Sequence, residues 1–225
     1  MLGSTQEIFA DVVSQRRSVR GFLPQPVPRD LLNKVFELAQ KAPSNCNTQP
    51  WQVCVLSGEK REAAATRLTQ SIVSGDVNTD FEYEGKYQGV YRDRQFDSAK
   101  QLYDAMGIAR EDKAGRRQVF MDNYNFFGAP HVAFLFLPEP FGIREAADVG
   151  MYAQNLMLSL TAHGLASCPQ TAISFDADGI REVAGIDAKN KLLFGISFGY
   201  EDKNHPANDS RVGRAKLSES VHFVE

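Results

Sequence analysis

The chain is poor in the residues that most often announce chemistry. Three cysteines (Cys46, Cys54, Cys168) and four histidines (His131, His163, His205, His222) are scattered over 225 residues. There is no C-x-x-C and no H-E-x-x-H, and no two histidines stand four apart, so no metal site is expected. Three unpaired cysteines read as free thiols of a reducing cytoplasm. Neither G-x-G-x-x-G nor a P-loop occurs, which removes the two commonest glycine-rich phosphate cradles. No apolar run approaches ~18 residues, so no membrane span is expected. The opening residues lack the charged-then-apolar order of a signal peptide, and a cytoplasmic location follows as the expectation. Twenty-five basic against 28 acidic residues give a net charge of -3, without the basic stripe of a nucleic-acid binder. No repeat or low-complexity tract is present. With 43% hydrophobic content, the length supports one sizeable core and a single domain over 1–225.

What the chain does have is concentrated in two places. Arg16-Arg17-Ser18-Val19-Arg20 puts three guanidiniums and a hydroxyl within five residues. Arginine gives bidentate hydrogen bonds to phosphate and keeps its charge, so the cluster suits a firmly held anion. The plainer reading is a solvated basic helix end. Pro43-Ser44-Asn45-Cys46-Asn47-Thr48-Gln49-Pro50-Trp51 is a run of amides and hydroxyls closed by prolines and the lone tryptophan. Ser44, Asn45, Asn47 and Gln49 suit hydrogen bonds to a heterocycle and a polyol. Together with Arg214 near the end of the chain, the two segments fit a tightly bound cofactor that carries the hard chemistry itself.

The periodicities place these segments. Ser4-x-x-Glu7 is a capping box before a first helix running to about Gln15. Val27-Pro28 opens a second helix, stopped by Pro43, so the amide-rich run follows a helix end. Strands are expected at 51–56, 131–137, 165–168 and 191–200, and helices at 60–73, 95–106, 112–125 and 144–163, with Asp176 capping another. The helix at 144–163 is apolar over much of its circumference and calls for extensive burial, completed by a second subunit. Pro169-Gln170-Thr171-Ala172 reads as a turn. Residues 75–94 show no period and read as a lid or binding loop, with 75–127 as a substrate-channel excursion. The tail 205–225 ends in a strand-like Val221–Val224. Without a regular βαβ rhythm, the class is α+β.

One motif points elsewhere. Gly195-Ile196-Ser197-Phe198-Gly199 matches the G-x-S-x-G nucleophile elbow, with Asp209 and His222 following in triad order. An elbow must turn from strand into helix, whereas a polar loop follows Gly199. A serine packed between small residues in a strand is the simpler account.

Arg-Arg-Ser-x-Arg at 16–20, Ala-Pro-Ser-x-x-Asn-x-Gln-Pro-Trp at 42–51 and Arg-x-x-Arg at 211–214 resemble the FMN-dependent nitroreductase family. Phe126-Phe127-Gly128-Ala129-Pro130, the helix at 144–163 and Pro169-Gln170-Thr171 also fit. The nearest likeness is to bacterial enzymes acting on nitrobenzoate-type nitroaromatics. The resemblance implies an intertwined α+β homodimer with a mixed, mainly antiparallel sheet flanked by helices, FMN held non-covalently at the subunit interface, and a tail that crosses to the partner. It implies that NADH or NADPH delivers a hydride, departs, and is replaced by a small aromatic acceptor, in ping-pong fashion. Arg16, Ser18, Arg211 and Arg214 then belong to the phosphate and ribityl end, with Arg17 beside them. Arg20 lies at the N1–C2 edge as electrostatic support, and no side chain acts as a catalytic acid. A guanidinium ~4 Å from the charge gained there on reduction contributes on the order of 4 kcal/mol at an effective dielectric of 20, before desolvation. Pro43, Ser44, Asn45, Asn47 and Gln49 approach from the partner, and Pro169, Gln170 and Thr171 line the flavin face or its N5 side. Many relatives carry Glu-Gly where this chain has Gln170-Thr171. Tyr91, Phe96, Tyr103, Tyr124 and Phe126 are candidates for contact with the acceptor. Quinone or flavin reduction, or reductive dehalogenation, is the alternative within the same fold.

Overall fold

The computed structural model describes residues 3–225. Seven α-helices and four strands follow in the order α1 (Thr5–Gln15), α2 (Arg29–Ala39), β1 (Gln52–Ser57), α3 (Gly58–Ser74), α4 (Gly89–Ala105), α5 (Lys113–Asp122), β2 (His131–Pro138), α6 (Ile143–Ala162), β3 (Ala166–Gln170), α7 (Ala177–Ala184) and β4 (Asn190–Gly199). The sheet order is β1-β2-β4-β3 and every neighbouring pair is antiparallel. Parallel contact is confined to isolated bridges, Ser18 with Ser167 and Asn78 with Asp176.

The apolar run His131–Leu137 becomes the central strand because both its faces are covered. Val132, Phe134 and Phe136 join a core that includes Leu68 of α3 and Ile180 of α7. Ala133, Leu135 and Leu137 join the opposite core with Val35 of α2 and Leu156 and Leu160 of α6. A strand buried on both sides must be apolar at odd and even positions alike. Helices α2 and α6 therefore pack on one face, and α3 and α7 on the other.

The helix α6 is the long buried helix that its periodicity called for. Val149, Tyr152, Ala153, Leu156, Met157 and Leu160 are buried. Another stripe stays open, with Ile143, Ala147, Gly150 and Met151 exposed. Gly164, just past its C-cap, takes φ +73, the left-handed conformation that glycine adopts without strain. The first helix has the expected capping box, with Ser4 Oγ accepting from the Glu7 amide and Glu7 accepting from the Ser4 amide. None of its side chains is buried, and Ile8, Phe9 and Val13 lie on the surface.

Three expectations need correction. The last six residues of the segment 75–94 are helical, because α4 begins at Gly89 rather than near 95. Residues 89–94 are all exposed, so the start of α4 carries no apolar stripe for periodicity to detect. The strand near 165 runs on to Gln170, so Pro169 and Gln170 belong to β3 and the turn starts at Thr171. Val221–Val224 forms no strand within the chain; it is exposed and has no paired neighbour among the described residues.

Candidate functional site

The basic motif runs along the free edge of β3. Arg16 ends α1 in an extended conformation, its amide donating to Val12. Ser18 bridges Ser167, and the Val19 amide donates to the Ser167 carbonyl at 3.0 Å. The chain then passes the end of β4, with Leu23 N–H donating to the Tyr200 carbonyl at 2.9 Å and Asp202 N–H to the Gly21 carbonyl at 3.0 Å. Gly21 is needed there because a Cβ would lie 2.2 Å from the His205 ring.

This course opens a cavity of about 1050 Å³ that brings together Arg16, Arg17, Ser18 and Arg20 with Ser210, Arg211 and Arg214. Two motifs nearly 200 residues apart in sequence thus share one wall. Five guanidiniums line it, against one lining carboxylate, Glu201, which is already paired with Arg17. Burial, and then the neighbouring Arg214 charge, lower the pKa of Arg16. Arg17 Nη1 and Ser210 Oγ are buried at this wall with no hydrogen-bond partner among the described residues. Concentrated positive charge and unsatisfied donors are the chemistry a phosphate answers. The residues therefore fit the phosphate end of FMN. Arg17 is a qualified member, since its Nη2 is committed to Glu201.

One residue of this site escaped sequence reasoning. Asn208 is buried, and its amide joins the two halves of the cradle. Its Oδ1 accepts from the Arg20 amide at 2.8 Å, and its Nδ2 donates to the Gly21 and Asp202 carbonyls, each at 2.8 Å. The sequon-like Asn208-Asp209-Ser210 gave no hint of this, because its partners are distant in sequence.

The amide-rich loop stands apart from the cavity. Residues 43–49 turn tightly, with Ser44 Oγ accepting from the Gln49 amide at 2.9 Å and the Asn45 amide donating to buried Asp148 of α6 at 3.1 Å. Cys46, Asn47 and Gln49 take φ of 49°, 56° and 48°, a left-handed conformation uncommon outside glycine. Pro43, Asn45 and Asn47 are exposed and Ser44 is half-buried, and none of 43–49 lines the arginine cavity. Gln49 instead lines a separate cavity of about 410 Å³ with Trp51 and Tyr152.

The β3 turn divides its side chains. Pro169 and Thr171 are exposed, two and four residues beyond Ser167, though neither lines the arginine cavity itself. The Gln170 side chain points inward instead, to Ser197 and Asn123. It is therefore not a side-chain ligand on that face, and only its backbone remains available.

The aromatic candidates also divide. Tyr91 and Phe96 are exposed on α4, with Arg94 and Arg92 stacked over them, and Tyr103 is half-buried. Tyr124 and Phe126 are fully buried core residues, with Phe120 against Tyr124 and Phe134 against Phe126. They offer no surface to an acceptor. Arg61 of α3 holds this region, donating to the carbonyls of Asn125 and Ala129 and lying 5.1 Å from the Phe126 ring.

The nucleophile-elbow reading fails. Ser197 has no exposed surface, Asp209 and His222 are exposed, and β4 ends at Gly199 in a loop, not a helix. Each residue of the motif has a packing role. A Cβ at Gly195 would meet Ile173 at 2.4 Å, and one at Gly199 would meet Pro130 at 2.7 Å. Among the described residues no three His, Cys, Asp or Glu side chains gather to hold a metal, and no helix is long and apolar enough to cross a membrane.

Known proteins share this arrangement. The sequence profile of the Nitroreductase family matches residues 13–200. The chain is 47% identical over 213 residues to nitroreductase NfnB of Mycolicibacterium smegmatis, covering 94% of this chain and 91% of that protein. It is 34% identical over 218 residues to a 4-nitrobenzoate reductase of Pseudomonas putida, covering 96% and 95%. The crystal structure of FMN-dependent NfnB from Mycobacterium smegmatis in complex with NADPH superposes with a TM-score of 0.93, at 45% identity over 98% of this chain and 99% of that one. With a profile match over most of its length and 47% identity to NfnB, the chain belongs to the nitroreductase family.

Proposed function

We propose that this protein is an FMN-dependent oxidoreductase that takes reducing equivalents from NADPH and converts nitroaromatic compounds to hydroxylamines, working as a homodimer in the cytoplasm. The observation that carries the reading is the cavity in which Arg16, Arg20, Arg211 and Arg214 meet beside β3 with unsatisfied donors in its wall. Bound FMN supplies the hydride chemistry between the nicotinamide and the nitro group. The protein's part is binding, orientation and electrostatics. Arg16, Arg211 and Arg214 hold the phosphate end, with Ser18 and Ser210 as hydroxyl partners. Arg20 places a permanent cation toward the pyrimidine edge, where negative charge gathers on reduction. Pro169, the Gln170 backbone and Thr171 face the ring. NADPH is the donor in this reading because NADPH is bound to the NfnB relative that shares 45% identity.

The dimer follows from what one chain leaves unfinished. Ser44, Asn45 and Asn47 sit away from the cavity, so their amides reach a flavin only across an interface. The exposed Ile8, Phe9 and Val13 of α1, and Ile143, Ala147 and Met151 of α6, supply apolar surface for a two-fold contact. The tail beyond 210, with Val221, Phe223 and Val224 exposed, crosses to the partner. Acceptors enter over 75–88 and α4, where Tyr83, Tyr87, Tyr91 and Phe96 are exposed, and flat rings stack there. Cytoplasmic placement is supported by three free thiols.

The test is direct. Purified protein should be yellow, release one FMN per subunit on denaturation, sediment as a dimer, and consume NADPH with 4-nitrobenzoate to give the hydroxylamine. A colourless protein that cannot be reconstituted with FMN would end this reading.

A further inference from the structure

The serine of G-x-S-x-G has no part in the chemistry described so far, yet it heads a buried polar chain. Ser197 Oγ hydrogen-bonds Gln170 Oε1 across the β3–β4 pair. Gln170 Nε2 donates to the Asn123 carbonyl at 3.0 Å, with Asn123 Oδ1 at 3.4 Å. Asn123 ends α5, its Nδ2 donating to the Phe120 carbonyl at 3.0 Å, and its own carbonyl also accepts from the Phe126 amide at 3.0 Å.

The direction of this chain is fixed. The Asn123 carbonyl only accepts, so the Gln170 nitrogen must face it. The Gln170 oxygen must then face Ser197, and Ser197 must donate. Ser197 is wholly buried and Gln170 nearly so, so no solvent replaces either partner. Gln170 itself sits between exposed Pro169 and Thr171, about 10 Å along the strand from the Ser167 that carries the arginine motif.

Resting on the FMN reading above, we infer that Ser197 is a positioning residue that acts through Gln170. With Asn123 at the other end, it locks the amide of Gln170 and so holds the Pro169–Gln170–Thr171 backbone at one orientation toward the flavin ring. The same chain ties that backbone to the 123–128 segment, so the cofactor face and the end of α5 move together. An unanchored Gln170 amide is free to rotate, and the adjoining backbone N–H loses its fixed aim. That aim sets the hydrogen bonding of the flavin ring and hence its potential.

The experiment uses the FMN-loaded enzyme with Ser197→Ala, Ser197→Cys and Gln170→Met, which removes both amide hydrogen bonds at similar volume. Ser197→Ala and Gln170→Met should retain one FMN per subunit but shift the midpoint potential in anaerobic reductive titration. Their single-turnover reduction by NADPH should slow roughly tenfold, the size of one lost buried hydrogen-bond partner. Ser197→Cys keeps a weak donor in similar volume and should fall between alanine and wild type. Variants that hold FMN with wild-type potential and wild-type reduction rate overturn the inference, even where thermal stability drops. If Ser197→Ala does not fold, Ser197→Cys and Gln170→Met, which keep the packing volume, decide by the same criteria. A wild-type protein that binds no FMN overturns the functional reading and this inference together, whereas wild-type-like variants overturn this inference alone.

Discussion

Replacing Asn208 by alanine should separate phosphate binding from ring binding. The side chain makes three hydrogen bonds of 2.8 Å in a buried position, and alanine removes all three. The Arg20 amide and the carbonyls of Gly21 and Asp202 are left facing a small void. One buried group without a partner costs about 1–3 kcal/mol, and the three share one space that water can partly fill, so a stability loss on the order of 3 kcal/mol is expected. The functional effect is distinct. Asn208 fixes the backbone that carries Arg20 against the stretch from which Arg211 and Arg214 emerge, and a slip of ~1 Å forfeits at least one charge-assisted hydrogen bond to the phosphate. At about 1.5–3 kcal/mol for a bond to a charged group, FMN affinity should fall roughly 10- to 100-fold.

Riboflavin has the same ring system and no phosphate. Titration of apoprotein with FMN and with riboflavin, read by quenching of flavin fluorescence, should show a lowered FMN-to-riboflavin affinity ratio in Asn208→Ala. Asn208→Asp keeps an acceptor for the Arg20 amide but turns a carboxylate toward two carbonyls, and its urea midpoint should lie below that of alanine. An unchanged affinity ratio in a folded Asn208→Ala protein would refute the coupling.

Four further outcomes follow. Arg20→Ala should lower the midpoint potential of bound FMN, whereas Arg214→Ala should chiefly weaken FMN retention; equal potentials in wild type and Arg20→Ala would remove Arg20 from its electrostatic role. His131 accepts from the Val27 amide on Nε2 at 2.8 Å and contacts Ser57 Oγ through Nδ1 at 2.5 Å, and burial, then Arg29, lowers its pKa. The unfolded chain therefore takes up a proton near pH 6.5 that the folded chain refuses, so stability falls as pH drops from about 6.5 toward the depressed folded value. Urea midpoints from pH 8 to 5 should fall more steeply for wild type than for His131→Asn. Tyr124 has a buried hydroxyl without a partner among the described residues, and burial pushes its pKa up to about 12; Tyr124→Phe should leave acceptor kinetics unchanged and cost no stability, with a gain of up to about 1 kcal/mol. Tyr83 packs on Phe175 beside exposed Tyr87, and changing both tyrosines to alanine should alter relative kcat/KM across nitrobenzoate, nitrobenzene and a quinone while FMN stays bound.

Legibility in the sequence tracked how local the physical signal is. The strand at 131–137 and the helix at 144–163 declared themselves because burial on one or both sides leaves a periodic apolar pattern. Helix α4 declared itself only from about residue 95, because its first six residues are all exposed and leave no such pattern. The basic motif was legible as an anion site, since charge density survives in one dimension. Arg214 could be joined to it by its chemistry and Arg211 only through resemblance, for nothing local specifies that residue 16 and residue 214 share a wall.

The residues that sequence reasoning misplaced are those whose role is set by a distant partner. Tyr124 and Phe126 carry aromatic rings in a region that covers a site, and they are equally good core residues; the choice was made by Arg61, which donates to the carbonyls of Asn125 and Ala129 and draws this turn onto α3. Gln170 looked like a ligand because the resemblance sets it at the flavin face, but strand alternation sends its side chain away from exposed Pro169 and Thr171, onto Ser197. Asn208 and Ser197 each matched a familiar motif, a sequon and a nucleophile elbow, and each instead satisfies buried backbone or amide groups from another part of the chain. The polar residues that matter most to the geometry of this site are therefore spent inside the protein, holding the backbone from which the exposed arginines and the β3 turn project.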